Sequence, residues 1–200
     1  MRLENLGDVM EEVEKELEEK DQVREIAIRL SREIIRLSSE MIFNIVRGAG
    51  EKTTVESART LKSKVIELRT LLEDHADINN AQYVDDAMQE YVEAILLRTA
   101  VSGKPLPGPE ELRVRAATYV MGLADLIGEF RRIALNKLME RKIKEAEMWL
   151  SSMEEAFLAI SKLHYPSALV NLRRKQDTAR SLIDRTLGEI ATASSADLRR

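Results

Sequence analysis

Two short acidic patterns hold the residues of this sequence whose types and spacing could do chemistry. The first is Gln89-Glu90-Tyr91-Val92-Glu93-Ala94, and the second is Gly122-Leu123-Ala124-Asp125-Leu126-Ile127-Gly128-Glu129-Phe130. On helices, a step of about 100° per residue puts Glu90 and Glu93 within roughly 60° of each other, and Asp125 and Glu129 within about 40°. Asp86 joins the first stripe one turn upstream. Like charges at this spacing weaken a bare helix by about 0.2–0.5 kcal/mol per pair, so each cluster calls for open water or a compensating cation. Four carboxylates from two facing helices would make a hard, all-oxygen site suited to Mg²⁺ or Mn²⁺ rather than zinc. A cation held there can polarise a phosphodiester, lower the pKa of a bound water and orient in-line attack. On spacing alone two solvated acidic faces are the usual reading, and that alternative stays open at this point. If the acids do crowd together, Asp125→Asn is expected to relieve repulsion and raise stability without a cation.

Other chemistries find no residues. The chain has no cysteine, which excludes disulfides, thiolate nucleophiles and Cys-based zinc sites. A di-iron bundle needs Glu-x-x-His on two helices, and the two histidines, His75 and His164, are not placed to supply it. The net charge of −4 does not advertise a nucleic-acid binder, so any such binding must use a local basic surface. No apolar run approaches the roughly 20 residues of a membrane span, and the N-terminus lacks a signal-peptide pattern. A soluble, cytoplasmic protein with no membrane partner is expected.

The elements that must position the acids read as helices throughout. With 8 Gly and 4 Pro in 200 residues, breakers are scarce and long helices are favoured over sheet. From Asp8 to about Arg47 the apolar residues Met10, Val13, Leu17, Ala27, Leu30, Ile34, Leu37, Met41 and Ile45 step by three and four, with Ile28, Ile35 and Ile42 as a second stripe. Asp8 with Glu11 forms a capping-box pattern, and Gly48 ends the helix. A helix of about 40 residues is too long for a compact monomer, so its charged first half is expected to project or to pair with another subunit. Arg29, Arg32 and Arg36 share one face of it, interleaved with glutamates; an ion-paired face and a phosphate-binding face are the two readings.

Thr53 with Glu56 opens a second helix with Ala58, Leu61, Val65, Leu68 and Leu72 as its core stripe, and a turn follows over His75 to Asn80. A third helix, from about Asn80 to Val101, packs Val84, Met88, Tyr91 and Ile95 inward. After the loop Ser102–Gly108, Pro109 fits the first position of a fourth helix running to about Met139. Beside its apolar face runs a polar stripe of Thr118, Asp125, Glu129, Arg132 and Asn136. Gly122 and Gly128 flank the acids where glycine costs about 1 kcal/mol each, a cost that close helix approach would justify. A fifth helix spans about Glu140 to Leu163, with Trp149 read as packing. The last helix carries Leu169, Leu172, Ala179, Ile183 and Ile190 and a basic cluster of Arg173, Arg174, Lys175 and Arg180, and the tail from Ser194 is expected to fray. The whole chain, 1–200, reads as one all-α domain, a bundle of about six or seven helices.

Both acidic motifs, the second extended from Tyr119 through Asn136, resemble the translin superfamily, in particular its catalytic branch of translin-associated factor X and archaeal relatives. Leu30-Ser31-Arg32-Glu33-Ile34-Ile35-Arg36-Leu37-Ser38 is similar to that family's opening motif, and Asp177, Arg180 and Ile183-Asp184 are compatible with it. The resemblance implies an all-helical fold, closed homo-oligomeric shells of six or eight subunits, and binding of single-stranded RNA or DNA inside them. For the catalytic branch it implies a Mg²⁺-dependent endoribonuclease, with Glu90, Glu93, Asp125 and Glu129 as catalytic and metal-holding residues. Non-catalytic translin lacks the aspartate, so Asp125 places the chain on the enzyme side. Arg32, Arg36, Arg132 and Asn136 are the candidate nucleic-acid contacts. The segment between the motifs is shorter than in the eukaryotic enzyme, which bears on substrate preference. Three rivals are a non-catalytic single-strand binder, a purely structural helical assembly and an all-α nucleoside-triphosphate pyrophosphohydrolase, whose Glu-x-x-Asp element the Asp-x-x-x-Glu spacing here fits poorly.

Overall fold

In the computed structural model, which describes residues 4–197, the described residues form eight helices and no strand. Six are long: α1 (Leu6–Val46), α2 (Glu51–Leu71), α4 (Gln82–Val101), α6 (Ala116–Met139), α7 (Ile143–Ser161) and α8 (Arg173–Asp197). Two are single turns, α3 (Ala76–Asn79) and α5 (Pro109–Leu112). They account for the difference from a count of six or seven. The helices pack in a chain of neighbours: α2 lies on α1, α1 on α4, α4 on α6, and both α7 and α8 on α6 and on each other. The acidic motifs therefore sit on the two central helices.

The apolar periodicity explains why α4 is central. Val84, Met88, Tyr91 and Ile95 are buried as expected, and Val92, Ala94, Leu96 and Leu97 join them on the remaining faces. Each fully buried Leu or Ile stabilises the fold by about 1.5–3 kcal/mol. By contrast α1 is two-natured. From Ala27 onward its stripe enters the core, whereas Leu6, Val9, Met10, Val13 and Leu17 are 41–60% exposed, so the first half projects as its length requires.

Several helix boundaries differ from the sequence expectation. Neither capping box forms: α1 starts at Leu6 behind Asn5, and α2 starts at Glu51 behind Gly50, with no side-chain cap bond at either. Asp8 and Glu51 instead lie in first turns, where the helix dipole favours acids. Gly48 does end α1, at φ 80°, with its N–H donating to Ile45 O at 2.9 Å and Ala49 N–H to Asn44 O at 2.9 Å, the paired bonds of a Schellman ending. The fourth helix is broken. Pro109 takes the first turn of α5 as expected, but Arg113 adopts φ 52° and Val114 N–H closes onto Pro109 O at 2.9 Å, so α6 begins only at Ala116. At the C-terminus, α8 starts at Arg173 rather than at Leu169, which is 67% exposed, and it continues without fraying to Asp197. Residues 198–200 of the expected frayed tail lie outside the described residues.

The two glycines on α6 separate cleanly. A Cβ on Gly122 would lie 2.8 Å from Val92 Cγ1 and 2.9 Å from Gln89 O, so α4 and α6 touch backbone to backbone there. A Cβ on Gly128 would meet nothing within 4 Å, so the close-approach reason fails for it. Gly122→Ala is therefore expected to destabilise the protein by about 1–3 kcal/mol through overpacking. Gly128→Ala is expected to stabilise it by about 0.5–1 kcal/mol through helix propensity. Urea melts of the two variants measure both; equal midpoints would refute the contact at Gly122.

Candidate functional site

The close approach at Gly122 brings the acidic edges of α4 and α6 together. The start of α6 is tied to α4 by Arg115, which donates to Asn80 Oδ1 at 3.1 Å and pairs with Asp85. Tyr119 Oη anchors the preceding loop by donating to Pro107 O at 3.0 Å. Glu93 is buried at 7% exposure, and its carboxyl is pushed up to about 9. Burial is the main cause, followed by the charges of Asp125, Glu90 and Glu129, with Lys175 opposing; no hydrogen bond enters. Glu90 is raised too, again by burial first and then by Asp125, against Lys175. All four sequence-predicted acids thus lie within electrostatic reach of one another, and Glu93 is protonated at neutral pH.

Each acid of α6 has a basic partner. Asp125 receives the Lys175 ammonium on both carboxylate oxygens, at 2.5 Å on Oδ2, and Gln89 Nε2 donates to the same Oδ2 at 2.6 Å. Glu129 Oε2 accepts from Arg132 Nη1 at 2.7 Å. In this arrangement, among the described residues, no three acidic or histidine side chains are gathered so that they could hold a metal ion as they stand. The donor set itself fits the chemistry of Mg²⁺ or Mn²⁺: it is all carboxylate, and Glu93 is a buried oxygen donor.

Lys175 and Gln89 are the functional candidates that sequence reasoning missed. Gln89 adjoins Glu90 within the first motif, and Lys175 belongs to the basic cluster of the last helix, 50 residues from Asp125. Helix α8 reaches the site because Arg131 on α6 holds it, donating to Thr186 Oγ1 at 2.6 Å and to both carboxylate oxygens of Glu189 at 2.9 Å. Gln176, next to Lys175, donates to the end of α7 at Ile160 O (2.8 Å).

The candidate nucleic-acid contacts scatter. Arg132 is half exposed beside the acids, on Glu129. Asn136 is not available to a phosphate through its amide, because Nδ2 donates to Val46 O at 3.0 Å and satisfies a carbonyl at the end of α1. Arg32 and Arg36 are exposed on α1, and Arg36 pairs with Glu40 at 3.2 Å, the ion-paired reading of that face. Trp149 packs on Phe130 with ring centroids 5.3 Å apart, as expected. Two clefts of about 650 and 700 Å³ lie along α8 rather than over the acids, lined by Arg173, Arg174 and Arg185 and by His164, Tyr165 and Arg180 respectively.

An all-helical bundle with a carboxylate cluster closed between its two central helices is the class that fold and site define. The sequence profile of the Translin family matches residues 22–186, and the chain belongs to that family. An uncharacterised protein of Methanocaldococcus jannaschii is 31% identical over 177 residues, covering 88% of this chain and 78% of that one. The AfC3PO–duplex RNA complex superposes with a TM-score of 0.80 at 35% identity, over 96% of this chain and 99% of that chain. Apo-NeC3PO, at 23% identity and a TM-score of 0.81 over 96% and 99%, shares the fold. Family membership displaces the pyrophosphohydrolase reading. Among the described residues no helix is long and apolar enough to cross a membrane.

Proposed function

We propose that this chain is a Mg²⁺- or Mn²⁺-dependent endoribonuclease that cuts single-stranded RNA inside a homo-oligomer. The observation that carries the reading is Glu93: a buried carboxyl on α4, raised by burial and by the charges of three further acids around it. A packed core gains nothing from such a group, since burying it costs free energy in either protonation state. Glu90, Glu93, Asp125 and Glu129 would hold the cation. A divalent ion so held supplies a Lewis acid for a phosphodiester oxygen and makes a nearby water more acidic. Glu93, protonated without a cation, would have to release that proton to serve as a ligand. Arg132, half exposed on Glu129, is placed beside the cluster to meet a phosphate.

RNA as the partner is supported by AfC3PO, which is 35% identical and has been solved with duplex RNA. The basic clefts along α8 offer phosphate contacts outside the acids. A closed assembly is supported by the projecting apolar stripe of α1, which a second copy would cover; light scattering against the 22.8 kDa chain mass tests it. The decisive assay incubates a labelled single-stranded RNA with the purified protein in Mg²⁺, in Mn²⁺ and in chelator. Cleavage in either cation and none in chelator is the expected result. RNA that is bound but intact in all three would return the non-catalytic reading.

A further inference from the structure

We propose that Lys175 is a tethered counter-ion of the acid site, a positioning residue whose ammonium stands in for the divalent cation and must leave Asp125 before that cation can be held. The inference rests on the metal-dependent reading above. Its first support is geometric. Lys175 contacts both oxygens of Asp125 and Gln89 takes a further lone pair of Oδ2, so three of the carboxylate's roughly four acceptor positions are filled and the ammonium sits where an ion bound by both oxygens would sit.

The second support is the residue type. Arg173, Arg174 and Arg180 are arginines, yet the side chain on the aspartate is a lysine. A guanidinium would lock Asp125 in a planar two-bonded pair, whereas an ammonium on a flexible four-carbon stem can swing away. Lys175 is 22% exposed, so its head has a path to water. The third support is position. Lys175 stands in the first turn of α8 together with Arg173 and Arg174, where the helix dipole disfavours cations and the turn itself holds no acid, so the carboxylate that offsets Lys175 comes from Asp125 on α6. The fold carries that local conflict at the place where α8 meets Asp125, as functional sites do. Swung out, the ammonium joins Arg173 and Arg174, the side on which a phosphate backbone would lie.

The test titrates Mn²⁺ calorimetrically into the full chain as wild type, Lys175→Met, Lys175→Gln, Arg174→Met and Asp125→Ala. Removing a competitor should tighten Mn²⁺ binding about tenfold or more in both Lys175 variants. Arg174→Met, the same charge change one residue away, should shift it by about twofold or less, since a distant exposed charge is screened. In parallel, the wild type is acetylated at its lysines with and without Mn²⁺ and read by mass spectrometry, which needs no variant to fold. Lys175 labelling should rise severalfold with Mn²⁺ while the other lysines stay constant. Unchanged labelling, or Lys175 variants that bind Mn²⁺ no tighter than Arg174→Met, would overturn the counter-ion role. If Asp125→Ala loses Mn²⁺ in that case, the metal site itself stands. If Asp125→Ala binds Mn²⁺ like wild type, the metal reading and the counter-ion role fall together.

Discussion

Glu93→Ala and Asp125→Ala are each expected to lower cleavage of single-stranded RNA by about 10³-fold or more, with RNA affinity nearly unchanged. The size follows from what the acids are proposed to do: loss of one preorganised group at a reacting centre costs about 10²–10³ in rate, and loss of the ion that several groups hold together costs more. Because the four act as a unit, the double variant should be no slower than the slower single one. Binding should survive, since phosphate affinity comes from basic side chains and not from carboxylates. The two variants differ in what they leave behind. Glu93→Ala removes a buried group with no hydrogen bond in its local environment, whereas Asp125→Ala leaves Lys175 without its carboxylate, in a place where water reaches it. Single-turnover cleavage with a binding assay on the same preparations measures both. Either purified, folded variant cutting RNA at the wild-type rate would remove that residue from the mechanism.

Glu93→Gln is expected to stabilise the cation-free protein by an amount that grows with pH. The folded carboxyl sits at about 9 because of burial and the charges of Asp125, Glu90 and Glu129, and an unfolded glutamate titrates near 4.3. Between those values the native state holds a proton that the unfolded chain has lost, so wild-type stability falls as pH rises through that window, by about 1.4 kcal/mol per pH unit at most. Below about pH 4 both states are protonated and the penalty vanishes. Glutamine imitates the protonated acid and has nothing to lose, so the two proteins should melt alike near pH 4 and diverge toward pH 8 in chelator. Mn²⁺ narrows the gap. A ligand bound only by the folded wild type adds about 2.7 kcal/mol at a hundredfold excess over Kd, and Glu93→Gln should gain little of it. Thermal melts at several pH values with chelator or millimolar Mn²⁺ provide the measurement. A pH-independent difference, or equal Mn²⁺ shifts, would mean that Glu93 is an ordinary buried polar group.

The same geometry changes the expectation for Asp125. Seen as one repelling charge among four, it should stabilise when neutralised. Seen on Lys175 and Gln89, it is the paired member of the cluster, and Asp125→Asn forfeits the charge-assisted bond. The pair is partly solvated, so the loss is about 1 kcal/mol or less, but its sign is destabilising. The stabilising substitution is expected at Glu93 instead.

Local periodicity made the helices and the grouping of the acids legible. Steps of three and four put Val84, Met88, Tyr91 and Ile95 on the buried side of α4, and the same arithmetic set Glu90 beside Glu93 and Asp125 beside Glu129. Such signals span a turn or two of one helix, and nothing beyond that helix is needed to read them. Where they ended, so did the reading. Arg113 breaks the fourth helix from a left-handed conformation that favours glycine, so no residue type announced it. Gly122 and Gly128 look alike in the chain, yet only Gly122 has the α4 backbone against it. Asn136 belongs to the polar stripe by angle but spends its amide on the end of α1. Lys175 was visible only as one cation in a basic run; its place on Asp125 depends on Arg131 holding α8 against α6 and on Gln176 closing the corner after α7. Residue type and period set which side chains share a face. Which opposing face meets them, and hence whether four acids stand in water, around a lysine or around a metal ion, is decided by helix packing across 50 residues of chain.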